Sequence, residues 1–425
     1  MEVITAWIDT FSWKYLIIPL LLAMSFFLTV YAKMPQFHFK KIKQALGKTT
    51  STEQLTPVAT LMIALSARIG VGTLAGTGLA LAVGGPGAIF WMWVSAVLTA
   101  GASFAENTLS QRFKQGDAHH YYGGPAFYIK YGLKHQKLAL IYATILIVTY
   151  TLGFVAVQIN TVSTIFVKTI QVSPYVMAVI LTLLTGIVIT GSLTKISKLI
   201  AKIMPFIAIL FFGLAAVTLI VNVAYLPTFF TEIITHAFDF HALTGGGMGA
   251  AVTTGIKRGI FSNEAGLGTG AHAAALTHHD DPREQGYIGV LGIYLTTLVS
   301  VTLVAFMLMS TGAHQHVHLT GNGIEFLHFA LTQLFGTATS LILPITLFFF
   351  GFSTVITAYL YGVMNLNFLS EKKSMTLVLR LVLLLAVFLA AIGNAQFIWQ
   401  LADLGVGITA MINLVALFLL RKWIN

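Results

Sequence analysis

The sequence predicts an all-α, polytopic membrane protein, and three observations carry that prediction. Hydrophobic residues fill 57% of the 425 positions and charged ones only 9%, too little polarity to clothe a water-soluble domain. Apolar runs of bilayer-crossing length, about 20 residues each, recur from one end of the chain to the other. Lysine and arginine collect in alternate connections between those runs, as they do where connections face the cytoplasm.

The runs fall near 13–32, 55–83, 87–111, 138–164, 174–192, 198–222, 246–275, 286–311, 338–364, 374–392 and 397–420, or about eleven spans. The first has no basic stretch before it and no small-residue cleavage motif, so it reads as a retained helix rather than a leader. Lys33, Lys40, Lys41, Lys43 and Lys48 follow it. The same side then collects Arg112, Lys114, Lys130, Lys134 and Lys137, next Lys195 and Lys198, next Lys372 and Lys373, and last Arg421 and Lys422. Intervening connections such as 223–245 and 312–322 hold almost none beyond Lys168. That bias puts the N-terminus outside and the C-terminus in the cytoplasm. It also accounts for the net charge of +10 with the bilayer, and not nucleic acid, as the partner.

Two spans differ from the rest. ARIGVGTLAGTG (67–78) in the second and TTGIKRGIFSNEAGLGTG (253–270) in the seventh are too rich in glycine for continuous helix. Glycine can also mark a tight packing face of the small-xxx-small type. Position favours the break: each span opens a block of about five, with the first helix left over. Five is odd, so the second block enters the membrane upside down. The expected layout is an N-terminal helix and loop over 1–50, a first five-helix repeat over 51–222, an external connection over 223–245 and a second, inverted repeat over 246–425.

A helix broken within lipid frees N–H and C=O groups that only protein or a polar ligand can satisfy. In the second span the inner half ends near Ile69 with free carbonyls, and the outer half begins near Gly72 with free amides. Those amides, at the positive end of a helix dipole, suit a carboxylate; Gly70 and Gly72 let it reach the backbone, and Thr73 adds a hydroxyl donor. The carbonyls suit Na⁺ here and an ammonium group at the seventh-span break. An α-amino acid with Na⁺ satisfies both. In the seventh span Lys257 and Arg258 are expected at the break and Glu264 on the inner half-helix, with Arg68 as its partner in an intracellular gate. A static buried pair is the alternative.

Other chemistry finds little support. Cysteine is absent, which removes disulfides and thiolate metal sites. His314, His316 and His318 alternate, as ligands for Zn²⁺ or Cu²⁺ on an extended strand would, but an external loop favours solvated imidazoles. There is no HExxH, P-loop or nucleophile elbow. The expectation is therefore a non-enzyme without an organic cofactor, powered by an ion gradient. No feature of the sequence fixes an oligomeric state.

GGPGAIFWMWVSA (84–96), GGPAFYI (123–129), KRGIFSNEAGLGTGAHAAA (257–275), FSTVITAYLYG (352–362) and DLGVGITAMINL (403–414) resemble the alanine or glycine:cation symporter family, also called sodium:alanine symporters. The resemblance implies a LeuT-like fold, a 5+5 inverted repeat with one extra helix in front. It implies a secondary active symporter that imports alanine, glycine or glutamine with Na⁺ by alternating access; a proton-coupled transporter or an uncoupled sensor is the alternative. It also implies substrate contacts at Gly70, Gly72, Thr73, Gln158, Phe261 and Thr354, and a sodium site from Ser66, Ile69, Phe350, Ser353 and Thr354. The chain departs from the family in three places. Val71-Gly72-Thr73 follows Gly70 where G-T-G-N is usual, Thr296-Thr297 stands for Asp-Thr, and Ala358 stands for Trp. The first two departures remove oxygens that could hold a second cation. The third leaves room for a side chain longer than that of alanine.

Overall fold

The computed structural model describes residues 11–47, 55–117, 120–238, 247–315 and 323–425. Helices dominate it, since in lipid a helix satisfies its own backbone. Helix α1 (Trp13–Tyr31) is followed by the short α2 (Phe39–Leu46), which buries Ile42 and Ala45 and exposes Lys40, Lys41 and Lys43. Next come α3 (Pro57–Arg68) and α4 (Val71–Gly84), which are bent by 45° at the break between them. The Thr56 hydroxyl caps α3 by accepting from the Ala59 amide at 3.1 Å. Helix α5 (Gly87–Phe113) leads through a hairpin, β1 (Gln115–Asp117) and β2 (His120–Tyr122), to the short α6 (Pro125–Tyr131). Helices α7 (Gln136–Ile170), α8 (Pro174–Ile189), α9 (Leu193–Val221) and α10 (Leu226–Ala237) complete the first half.

The second half comprises α11 (Gly247–Asn263), α12 (Thr269–Ala275), α13 (Arg283–Ser310), α14 (Ile324–Phe335), α15 (Thr339–Leu369), α16 (Lys373–Ala391) and α17 (Ala395–Leu419). Among the described residues eight helical stretches are long and apolar enough to cross a membrane, or nine if α3 and α4 form one span. Helices α8, α9 and α16 expose Leu183, Ile187, Ile209, Ile220 and Leu381, the apolar rim that a lipid environment demands. Helix α5 lies in the middle, buried continuously from Thr99 to Gln111.

One expectation about the second half needs correction. Helix α11 runs unbroken through Lys257 and Arg258, and the interruption falls later, at the turn 264–268. There Glu264, Gly266 and Gly268 have φ of 55°, 81° and 86°. Glu264 therefore lies in the turn and not on the inner half-helix. Gly255 and Gly259 serve packing instead: a Cβ on Gly255 would come within 2.7 Å of Trp91 Cβ, and one on Gly259 within 3.2 Å of Met92 Cα, both on α5. The connection 223–245 is partly helical. That stretch includes α10, which buries Phe229 and Ile233 and accepts a 3.3 Å hydrogen bond from the Trp91 indole at Ala237. His316 and His318 lie outside the described residues, while His314 Nε2 sits 3.9 Å from Glu232 of α10.

Candidate functional site

The break between α3 and α4 is where the chain brings its predicted residues together. Ile69 turns out of the helix with ψ 75°, and Gly70 is extended. The carbonyl oxygen of the Gln158 side chain on α7 accepts from the freed Val71 amide at 2.9 Å. A Cβ on Gly70 would strike the Thr354 hydroxyl and lie 2.9 Å from Gln158 Oε1, while one on Gly72 would lie 2.8 Å from the Phe261 ring. Helices α7, α11 and α15 thus close directly on the glycines. Thr73 is engaged within the break itself: its hydroxyl donates to the Arg68 carbonyl at 2.7 Å and shares a 2.9 Å hydrogen bond with Ser262. The donor that the sequence offers to a ligand stitches α4 back to the end of α3.

Beside this break, α3 meets α15. Thr354 Oγ1 lies 2.8 Å from the Ser66 carbonyl and 3.0 Å from the Phe350 carbonyl, to which Ser353 also donates at 2.9 Å. The Ser66 hydroxyl shares a 2.6 Å hydrogen bond with Thr357. Bonds to Phe350 are the ordinary back-bonding of hydroxyls in membrane helices. The bond from Thr354 to Ser66 is different, because it crosses between helices. Ser66, Phe350, Ser353 and Thr354 thereby supply a cluster of neutral hard oxygens, a donor set suited to a small monovalent cation. Ile69 closes α3 just above, its amide donating to Leu65 at 2.6 Å.

Arg258, expected in one gate with Arg68 and Glu264, stands apart from both. On α11 it forms an ion pair with Asp403 of α17, and Lys257 Nζ reaches the same carboxylate at 2.8 Å. Its guanidinium lies 4.9 Å from the Trp399 ring and 5.4 Å from that of Phe261. Phe261 in turn stacks on Phe154 at 4.7 Å and tilts against Trp399 at 5.0 Å. Above this layer opens a cavity of about 310 Å³, lined by Leu79, Thr254, Lys257, Arg258, Trp399 and Asp403, at the end of the molecule away from the hairpin. One charged and aromatic layer separates that cavity from Gly72.

Toward the hairpin the break is closed by a buried polar network. The carboxylate within ion-pair reach of Arg68 is Glu106 of α5 at 3.9 Å, and not Glu264. Glu106 Oε2 accepts from the Gly268 amide at 2.9 Å and from Asn413 of α17 at 3.3 Å. Tyr142 donates to the Leu267 carbonyl at 2.5 Å, and Thr269 donates to Glu264 at 2.6 Å. The Gly268 bond ties the start of α12 to α5, as do bonds from Ser110 and Gln111 to the Ala271 and Ala274 carbonyls, while the Tyr142 bond ties the turn to α7. Glu106, Asn413, Trp399 and Asp403 escaped the sequence reading as functional residues. The two carboxylates carried a usable signal, since an acid inside an apolar span is costly and needs a partner.

A family model described as the sodium:alanine symporter family matches residues 1–425. A Bacillus subtilis (strain 168) protein named "Probable sodium/glutamine symporter GlnT" is 34% identical over 415 residues, covering 96% of this chain and 86% of its own length. The "Sodium/alanine symporter AgcS" of Methanococcus maripaludis is 32% identical over 427 residues, covering 97% of this chain and 93% of its own. Among solved structures, a manganese transporter of Eremococcus coleocola shares the fold with a TM-score of 0.60 at 13% identity, covering 88% of this chain and 89% of that one.

Proposed function

Because the chain belongs to the sodium:alanine symporter family, we propose that it imports a small neutral amino acid with Na⁺ across a prokaryotic cytoplasmic membrane by alternating access. The observation that carries this reading is the convergence of Gln158, Phe261 and Thr354 on the Gly70–Gly72 break. The substrate carboxylate takes the first-turn amides of α4, with Gln158 and Thr73 beside it. Na⁺ takes the carbonyls of Ser66, Ile69 and Phe350 with the hydroxyls of Ser353 and Thr354. The chain makes eleven spans as two inverted sets of five behind α1, with α3–α4 and α11–α12 as the interrupted members. One pairing supports the inversion: α6 starts at Gly124 against His272 of α12, and α14 starts at Gly323 against the backbone of α4 at Ala75. Each half thus lays the glycine start of a short helix on the broken span of the other. The hairpin end, which carries Lys114 and Lys130, faces the cytoplasm, and the N-terminus lies outside.

Uptake into proteoliposomes tests this directly. Alanine, glycine or glutamine accumulates when a sodium gradient is imposed; accumulation that follows a pH gradient and ignores sodium points to proton coupling, and none at all to a sensor. Thr354→Ala removes the hydroxyl that links the two helices. It is expected to raise the sodium concentration for half-maximal uptake by about tenfold, the equivalent of ~1.4 kcal/mol, and by more than Ser353→Ala does. An unchanged sodium dependence removes Thr354 from the cation site. Selectivity is expected to depend on Ala358, buried one turn beyond Thr354 on α15. In competition uptake Ala358→Trp suppresses glutamine more than alanine, since the indole meets the side chain and spares the backbone anchors. Equal loss of both shows that this position shapes the fold.

A further inference from the structure

Two carboxylic side chains and one arginine share the core beside the 264–268 turn: Arg68 is 2% exposed, Glu106 0% and Glu264 1%. If both acids were ionised, the trio would hold an uncompensated negative charge out of water, at heavy cost. The hydrogen bonds distinguish the two acids. Glu106 is the better placed of the two to carry the negative charge, with the Gly268 amide and Asn413 donating to Oε2 and Arg68 lying 3.9 Å from Oε1, which has no hydrogen-bond partner of its own among the described residues. Glu264 accepts only from Thr269, and its Oε1 has no hydrogen-bond partner among the described residues. A second, independent observation concerns Tyr150 of α7. Its buried hydroxyl lies beside the Glu264 carboxyl and Thr269, with no bond of ordinary hydrogen-bond geometry to either among the described residues. A carboxylic acid at this position has an O–H for Tyr150 to accept and a carbonyl for Thr269 to donate to.

The helices packed on this carboxyl bring few other charges. Helix α3 brings Arg68, α5 brings Glu106, α7 brings Tyr142 and Tyr150, and α15 brings Tyr361. Helix α12 brings His272, which stacks on Tyr361 at 5.2 Å, and α17 brings the uncharged Asn413. The single strong cation, Arg68, lies within ion-pair reach of Glu106.

We propose that Glu264 is a proton-binding site: its carboxyl carries a proton while α12 is packed on α5, and releases it as that end of the protein opens. The step is one O–H ionisation. The electron pair stays on the carboxylate and the proton passes to water entering between α5 and α12. Two anions then face one arginine, and their repulsion pushes the turn, with its left-handed Glu264, away from α5. The consequence for transport rests on the symporter reading; the proton site itself does not.

The test uses the full chain and Glu264→Gln, whose amide still accepts from Thr269 and donates to Tyr150 but cannot titrate. Thermal unfolding in detergent is followed between about pH 5 and pH 9, where a proton held by the closed fold and released on unfolding makes stability fall as pH rises. The parent is expected to show that fall, and the variant to lose it. Infrared spectra of the parent should show a protonated-carboxyl band that is absent in the variant, which decides the matter even if the variant folds poorly. Superimposable pH profiles, or an unchanged carboxyl band, overturn the proposal. Alanine exchange at symmetric pH provides the separate readout: no exchange in the parent, with the unfolding difference intact, sinks the transport reading and leaves the proton site standing.

Discussion

Gly72→Val is expected to abolish the proposed sodium-dependent uptake and to weaken substrate binding by about a hundredfold, or ~2.7 kcal/mol, in a protein that still inserts and elutes as a single species. A Cβ at this position would lie 2.8 Å from Phe261 Cε1 and 3.3 Å from Cδ1. The ring has little room to retreat, being stacked on Phe154 at an interplanar angle of 3° and leaning on Trp399 from the other side. Valine adds two methyl groups over the amides proposed to receive the carboxylate and brings β-branching to the first turn of α4. Direct binding of radiolabelled alanine checks the result, with size-exclusion elution as the control for folding. Unchanged affinity would take the α3–α4 break out of the binding site.

Asp403→Ala is expected to cost about 3–5 kcal/mol of stability, the usual penalty for stranding a buried charge, and to lower uptake severely. Asp403 accepts from Arg258 and Lys257 together. Removing it leaves the Arg258 guanidinium, 3% exposed, over Trp399 and Phe261 with cation–π attraction as its main compensation. Unfolding in detergent measures the loss of stability. The double variant Asp403→Ala with Arg258→Met should recover most of it, since the more deeply buried of the two cations on Asp403 is gone. A double variant as unstable as the single one would show that Asp403 acts through something other than this pair.

The membrane helices and the first break were legible in the sequence because both rest on local rules. Hydropathy locates the long apolar helices, eight or nine of the eleven expected spans among the described residues, and Gly70 and Gly72 mark a place where backbone must be approached closely. The second break was misplaced for a physical reason. Lys257 and Arg258 looked too polar for an uninterrupted helix, but Asp403 and Trp399, far along the chain, cover them. Such a partner leaves no mark near residue 257. Glycine carried two different messages in one string: Gly255 and Gly259 admit α5, whereas Gly266 and Gly268 supply the positive φ of the turn. Only the tertiary contact tells them apart. The pairing of Arg68 with Glu106 instead of Glu264 has the same cause, because three helices had to be placed before the distances existed.

The Thr73 bond to the Arg68 carbonyl bears on how this molecule can move. Because the hydroxyl spans the break at 2.7 Å, the bend between α3 and α4 behaves as a splinted elbow and not as a joint. The two arms then swing together as a bent lever. An arm of twelve residues is about 18 Å long, so a tilt of about 10° carries its tip roughly 3 Å, enough to separate packed side chains. A push on one arm then reaches the other through this hydroxyl as well as through the backbone, and Thr73→Val is expected to loosen the splint toward a hinge.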